Sequence, residues 1–350
     1  MSRMAATAGR AQGAARSVPA AEAPASGSTP RRSSAVPGGP SARRLLLYSP
    51  SGVVAKAPAL RRAARHLATR GYAVAIDEAA LARHQRFAGD DATRLAAIHR
   101  VAAAAPSVAL ASRGGYGLTR LIDRLNWKTL GRSIDRGTRW VGMSDCTALM
   151  LGALAHGVAG DPDAPRDAGG FWSGPLACED FGRTDEEGGI DDVTEACFLE
   201  AMDGDLEAIG FRTEPGFDGL EASGLLWGGT LTMVLSLLGT PHFPAVRGGV
   251  LFLEDVAEHP YRIERMLLQL QQAGVLGAQK AIVLGGFSNW AKSPLDRGYT
   301  FKSAVAHLRN VLRVPVLTGL PFGHLRTKVC LPHARRVTLQ VAGREAFLVW

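Results

Sequence analysis

Cysteine is scarce in this 350-residue chain: Cys146, Cys178, Cys197 and Cys330 stand far apart, with no C-x-x-C pair. That spacing excludes a disulfide framework and a structural zinc site, and suits a reducing compartment where cysteines pack as small apolar residues. No metal or organic cofactor is expected. Long apolar runs are also missing, and a membrane span would need about 18 such residues in a row. Aromatic residues make up only 7%, and no Lys/Arg run is interleaved with them, so a surface that tracks a nucleic-acid backbone is not expected. The first 40 residues lack large apolar side chains and the roughly 7–15-residue apolar stretch of a secretory signal. Such a segment cannot offset its own ordering entropy, so residues 1–42 are expected to form a disordered extension, Arg-rich and acid-poor as organellar transit peptides are. Together these absences predict a soluble, cytoplasmic protein without nucleic-acid or membrane partners.

The formal net charge is +8. Five arginines against Glu22 place half of that excess in the first 40 residues; the remainder is spread thinly and serves at most to attract an anionic substrate. Hydrophobic residues at 46% allow a sizeable core. From residue 43 onward, short apolar runs alternate with helical patterns. Strands are expected near 45–48, 72–76 and 108–111, helices over 56–70, 91–104 and 118–125, and Trp140–Met143 runs into Ser144 and the apolar stretch 148–155. That alternation predicts βαβ units on a parallel sheet. Residues 158–222 are rich in Asp, Glu, Gly and Pro and read as a connection with a short helix around 192–203. A second body follows, with strands near 224–227, 249–253, 281–284 and 314–317, helices over 230–238, 260–273 and 301–311, and a strand-rich end at 337–341 and 346–350. The fold class is α/β: a nucleophile-bearing parallel-sheet domain of Rossmann or flavodoxin-like type over 43–175, a connection over 176–222, and a smaller α/β domain over 223–350 with a β-rich end.

In open parallel sheets, ligand-facing residues lie just after the carboxyl ends of strands. Ser49–Gly52, Arg113–Gly117, Ser144-Asp145, Glu254-Asp255 and Gly323-His324 all fall there. Gly142-Met143-Ser144-Asp145 reads as a strand-to-helix turn that exposes a serine hydroxyl beside the donors of a helix N-terminus. Cys146 stands where the last glycine of a G-x-S-x-G elbow belongs, and Ser144 or Asp145 as a plain helix cap is the bland alternative. Arg113-Gly114-Gly115-Tyr116-Gly117 does not have the spacing of a dinucleotide loop. It reads either as a tight turn or as a backbone donor site with Arg113 holding a carboxylate. Glu254 ends the apolar run Val250–Leu253, where an acid either serves a helix N-terminus or orients a histidine. Among nine histidines, His324 and its rival His333 sit where a general base could reach across a cleft.

Taken in order, these segments resemble the LD-carboxypeptidase family, which includes muramoyltetrapeptide carboxypeptidases and microcin C immunity peptidases. The resemblance runs from about Leu45 to the C-terminus. It rests on Ser49-Pro50-Ser51-Gly52, Phe87–Asp91 with Arg94, Arg113–Gly117, Gly142–Leu149, Leu238–Pro241, Leu253-Glu254-Asp255 and Gly319–His324. It implies a catalytic triad of Ser144, Glu254 and His324, oxyanion donors from the backbone at Gly115 and Asp145, and substrate contacts from Arg113, Gly114 and Tyr116. It also implies a site in the cleft between two domains, a homodimer, and hydrolysis of the L,D-amide that releases C-terminal D-alanine from murein tetrapeptides.

Two departures stand out. The family's Gly-Gly-Asn reads Gly228-Gly229-Thr230 here, and residues 157–173 form a long insertion ahead of Gly174-Pro175. A nucleotide-conjugate peptidase of the same family is the rival reading, with Phe171-Trp172 as its base-stacking candidate. A non-catalytic murein-peptide binder is the rival from another class.

Overall fold

The computed structural model describes residues 43–350; the expected extension 1–42 lies outside the described residues. The chain begins with β1 (Arg43–Tyr48), α1 (Ala57–Thr69), β2 (Tyr72–Ile76), α2 (Asp91–Ala104), β3 (Val108–Ala111), α3 (Trp127–Asp135), β4 (Arg139–Gly142) and α4 (Cys146–Ala155). Then come β5 (Gly170–Ser173), α5 (Asp192–Asp203), β6 (Ala208–Arg212), β7 (Glu221–Thr230) and α6 (Leu231–Leu237). The remainder is β8 (Val250–Val256), α7 (Pro260–Gln272), β9 (Ala281–Ser288), α8 (Phe301–Val311), β10 (Val316–Thr318), β11 (Leu331–His333), β12 (Arg336–Ala342) and β13 (Glu345–Val349).

Two sheets organise these elements. The first has the order β11-β5-β4-β3-β1-β2, parallel except for the antiparallel pair β11–β5. Its inner strands β3 and β4 are buried along their whole length, as expected of strands covered on both faces by crossover helices. The second sheet has the order β10-β9-β8-β7-β12-β13-β6. Its β7–β10 portion is parallel, and β12, β13 and β6 extend it as an antiparallel meander. The fold class is therefore the mixed α/β architecture the sequence predicts.

Several local expectations change. The helix expected over 118–125 is two short 3-10 turns, Leu118–Arg120 and Ile122–Arg124, followed by α3, which starts with Asn126 capping the Thr129 amide. The stretch read as a connection holds β5 and β6. Phe171 and Trp172 lie in β5, 1% and 2% exposed, so they are core side chains and cannot stack on a nucleotide base. The long insertion thus ends inside the first sheet. Two strands also cross the segment boundaries read from the sequence: β6 joins the second sheet and β11 returns to the first. Among the described residues, no helix is long and apolar enough to cross a membrane.

Candidate active site

Ser144 sits at the tip of the turn from β4 to α4 with φ +62°. A non-glycine residue in this left-handed region carries backbone strain of about 1–3 kcal/mol, and such strain concentrates at functional turns. The turn is held from behind. Asp145 is fully buried, and its Oδ2 accepts from the Leu118 amide at 2.8 Å; burial raises its pKa above the ordinary carboxyl range. Cys146 is buried in the core, which pushes its thiol up, so it stays protonated and is no rival nucleophile.

The glycine loop lies directly against this serine. A β-carbon at Gly114 would fall 2.5 Å from Ser144 Cβ and 2.7 Å from its Oγ, so only glycine lets the two backbones approach so closely. Gly52 donates its amide to Gly114 O at 3.1 Å, tying the Ser49–Gly52 turn to the same loop. Fully buried Arg94 spans both, donating to Pro50 O at 3.1 Å and Gly117 O at 2.9 Å. This gives the Phe87–Arg94 segment its place: Arg94 holds the glycine loop from beneath. Arg113 donates to Val53 O at 3.0 Å and faces Glu179 at 3.7 Å. Tyr116 packs against Phe87 with ring centroids 5.7 Å apart.

On the second sheet, Glu254 of β8 has no exposed surface. A register shift between Leu253 and Asp255 against β9 brackets it, a bulge of the kind that re-aims a side chain. A carboxylate can only accept, so His324 Nδ1 carries the proton it donates to Glu254 Oε2 at 2.8 Å. The His324 amide donates to the same oxygen at 3.2 Å. This approach depends on Gly323 at φ +138°, where a β-carbon would sit 3.0 Å from Glu254 Oε2. Glu254 Oε1 accepts from Thr230 Oγ1 at 2.5 Å. Thr230 is buried, so the residue standing in place of the family's asparagine supports the acid. Burial opposes a charged imidazole at His324, but the hydrogen bond and charge of Glu254, with Glu179 and Asp255 behind it, win and raise its pKa.

The other acids and histidines sort themselves by partner. Asp255 points the opposite way and accepts from the Thr232 amide at 2.8 Å, serving the first turn of α6. His333 lies in β11 with both ring nitrogens buried and unpartnered, and burial pushes its pKa down to about 4. Of the two candidate histidines, His324 is the one paired with a carboxylate, and His333 is enclosed in the core.

The two sheets meet at this site. The Thr230 amide donates to Thr147 Oγ1 at 3.2 Å, which joins the end of β7 to the first turn of α4. Glu254 and His324 are in direct contact; Ser144 connects to them through Thr147 and Thr230, with no direct hydrogen bond from Ser144 to His324 among the described residues. The loop after His324 is fastened to the segment 180–194. Lys328 pairs with Asp180, each side chain only 5% exposed. The Lys328 amide donates to Thr194 Oγ1 at 2.9 Å and Thr327 Oγ1 to Asp191 at 2.8 Å. Neither Lys328 nor Asp180 is singled out by the sequence, because their contact spans 148 positions.

A cleft of about 520 Å³ is lined by Arg113 at the start of the glycine loop and by Glu179, Lys56, Arg183 and Glu187; Ser144 and His324 are not among its lining residues. Arg113 lines this cleft, while Gly114 lies against Ser144 and Tyr116 packs on Phe87. Glu179 was missed by sequence reading; it follows Gly174-Pro175 on a short π-turn, Ala177–Phe181. Among the described residues no group of three or more His, Cys, Asp or Glu is placed to hold a metal ion.

Sequence models of the LD-carboxypeptidase N-terminal and C-terminal domains match residues 46–160 and 223–339. A muramoyltetrapeptide carboxypeptidase from Oxalobacter formigenes superposes with a TM-score of 0.76 and 37% identity, covering 87% of this chain and 97% of that one. The murein tetrapeptide carboxypeptidase of Pseudomonas aeruginosa is 27% identical over 85% of this chain and 93% of its own length. MccF bound to glutamyl sulfamoyl guanosine shares the fold, with a TM-score of 0.73 at 17% identity over 89% and 97% of the two chains.

Proposed function

Because the chain belongs to the LD-carboxypeptidase family of serine peptidases, we propose that it releases the C-terminal D-alanine of murein tetrapeptides through an acyl-enzyme on Ser144. The observations that carry this reading are a strained, half-buried serine at the tip of a strand-to-helix turn and a histidine whose Nδ1 is held at 2.8 Å by a fully buried glutamate. With Nδ1 protonated, Nε2 is the free basic nitrogen. It removes the Ser144 proton as Oγ attacks the amide carbonyl, and Glu254 stabilises the resulting imidazolium. The oxyanion is received by the Gly115 and Asp145 amides, at a loop apex and a helix start where N–H groups have no helical acceptor. His324 then returns the proton to the departing D-alanine nitrogen. Water, deprotonated by the same nitrogen, attacks the ester, and Ser144 recovers its proton.

The cleft suits a charged peptide. Arg113 offers a cation for the terminal carboxylate, and the mixed charges of Lys56, Arg183, Glu179 and Glu187 complement a substrate carrying both carboxylates and an amine. A cytoplasmic homodimer completes the proposal. D-alanine release from a purified tetrapeptide is the test: wild type should release it and Ser144→Ala should not, while keeping the wild-type melting temperature. Turnover by the alanine variant would overturn the nucleophile, and no release by the wild type would overturn the substrate.

A further inference from the structure

The segment that follows His324 is fastened to one face of α5 at three successive points. Thr327 Oγ1 donates at 2.8 Å to Asp191, which caps the helix, and the Lys328 amide donates to Thr194 Oγ1 at 2.9 Å. The Cys330 amide donates to Cys197 Sγ at 3.1 Å. Residues 191, 194 and 197 share that face because positions three apart on a helix are neighbours. The last contact joins two cysteines that stand 133 positions apart, and both are free thiols. We propose that Cys197 and Cys330 are a redox-sensitive pair: a peroxide closes them into a reversible disulfide, and the closure displaces His324 and lowers hydrolysis. The pair lies outside both the triad and the charged cleft.

The two thiols are unequal. Cys197 is 6% exposed and lines an open cavity of about 400 Å³ with Leu206, Ile209 and Val329, so a small oxidant reaches its sulfur. Cys330 has no exposed surface. Hydrogen bonds from the Cys330 thiol and amide hold the Cys197 thiol below its ordinary range despite its burial. Burial, and then the neighbouring Cys197, push the Cys330 thiol up. Cys197 is therefore the attacking thiol and Cys330 the resolving one. The Cys197 thiolate attacks one oxygen of hydrogen peroxide and the O–O bond breaks. Sulfur is oxidised to a sulfenic acid, and the departing hydroxide becomes water by taking up the proton the thiol released. The Cys330 sulfur then attacks the sulfenic sulfur: the S–S bond forms, the S–O bond breaks, and a second water leaves with the Cys330 proton. The other two cysteines are poorer nucleophiles, since burial pushes Cys178 up to about 12 and raises Cys146 as well.

The closure is felt at the histidine. A disulfide holds its sulfurs about 2.0 Å apart, closer than two thiols in contact, so Cys330 must move toward α5. Val329 donates its amide to Pro321 O at 3.0 Å, which joins this segment to the turn that precedes His324. Displacement therefore passes from Cys330 through Val329 to the residues that hold His324 against Glu254.

In the test, the full chain is treated with hydrogen peroxide, its remaining thiols are alkylated, and cross-linked peptides are mapped by mass spectrometry. Two of the four thiols should be lost, with Cys197 joined to Cys330. D-alanine release should fall on the order of 10²-fold, the cost of a catalytic group misplaced by about 1 Å, and dithiothreitol should reverse both changes. Cys197→Ser and Cys330→Ser should each be active when reduced and keep that activity after peroxide. Should the fully buried Cys330→Ser change unfold the chain, Cys197→Ser at the cavity wall carries the comparison by itself. A wild type that forms no Cys197–Cys330 disulfide overturns the proposal, as does one that forms it and stays fully active. An equal loss of activity in Cys197→Ser overturns it too, because the oxidation that matters then lies elsewhere. If the reduced wild type releases no D-alanine, the murein reading fails instead, and amide hydrogen exchange over residues 321–330 decides. A changed exchange rate on oxidation then supports the coupling, and an unchanged one overturns it.

Discussion

The two sides of the site are built by different physics. On the first sheet, Ser144 is fixed by backbone: a left-handed turn, a helix start, and a glycine whose missing side chain leaves room for the hydroxyl. On the second, Glu254 and His324 are fixed by side-chain hydrogen bonds, with both carboxylate oxygens taken up by Thr230 and by two donors of His324. A strained turn resists substitution sterically, whereas a saturated hydrogen-bond set resists it electrostatically. The first should fail through displacement of an atom, the second through a change of proton position.

Glu254→Gln puts that difference to its strongest test. The glutamine keeps the shape but no longer stabilises the imidazolium, and it can hold His324 in the wrong tautomer. A loss of about 10⁴ in kcat is expected, by analogy with the same change in other serine triads, with KM nearly unchanged; a loss under tenfold would mean that the pair does not act in the proton transfer. Gly114→Ala comes next. Its new methyl group must push Ser144 aside, and misplacement by about 1 Å costs on the order of 10²-fold. Here kcat should fall while the pH profile keeps its shape, which separates displacement from a proton effect. Glu179→Gln should be the mildest. Glu179 is one of the charges that raise the His324 pKa. Since His324 must be neutral to accept the serine proton, activity falls as pH drops through that pKa. Removing the negative charge lowers the pKa, so the acid limb of kcat/KM should move to lower pH. An unmoved limb would mean that Glu179 does not act on the histidine.

Much of this site is legible in the sequence because its parts are local. The β4–Ser144–α4 turn, Glu254 at the end of an apolar strand and Gly323-His324 each announce themselves within a few residues, and the resemblance puts them in order. What is hidden depends on distant partners. β5 and β11 are four and three residues long and lie in polar surroundings, so neither produces a period that can be read; β5 is held between β4 and β11, and β11 pairs with β5 across the chain. His333 looks like a rival base until that pairing buries it. Phe171 and Trp172 look like loop aromatics for the same reason. Thr230 seems a weakened asparagine until its hydroxyl is seen to fall on Glu254.

The return of β11 to the first sheet also has a consequence for biosynthesis. As the chain leaves the ribosome from its N-terminus, β1 to β5 can assemble early, but β5 keeps an unpaired edge until residues 331–333 emerge. An open strand edge is a template for mispairing. The same short segment follows His324 in the chain. Closing the sheet is thus a late event, and a nascent chain that has not yet made residues 331–333 holds an unprotected edge along β5.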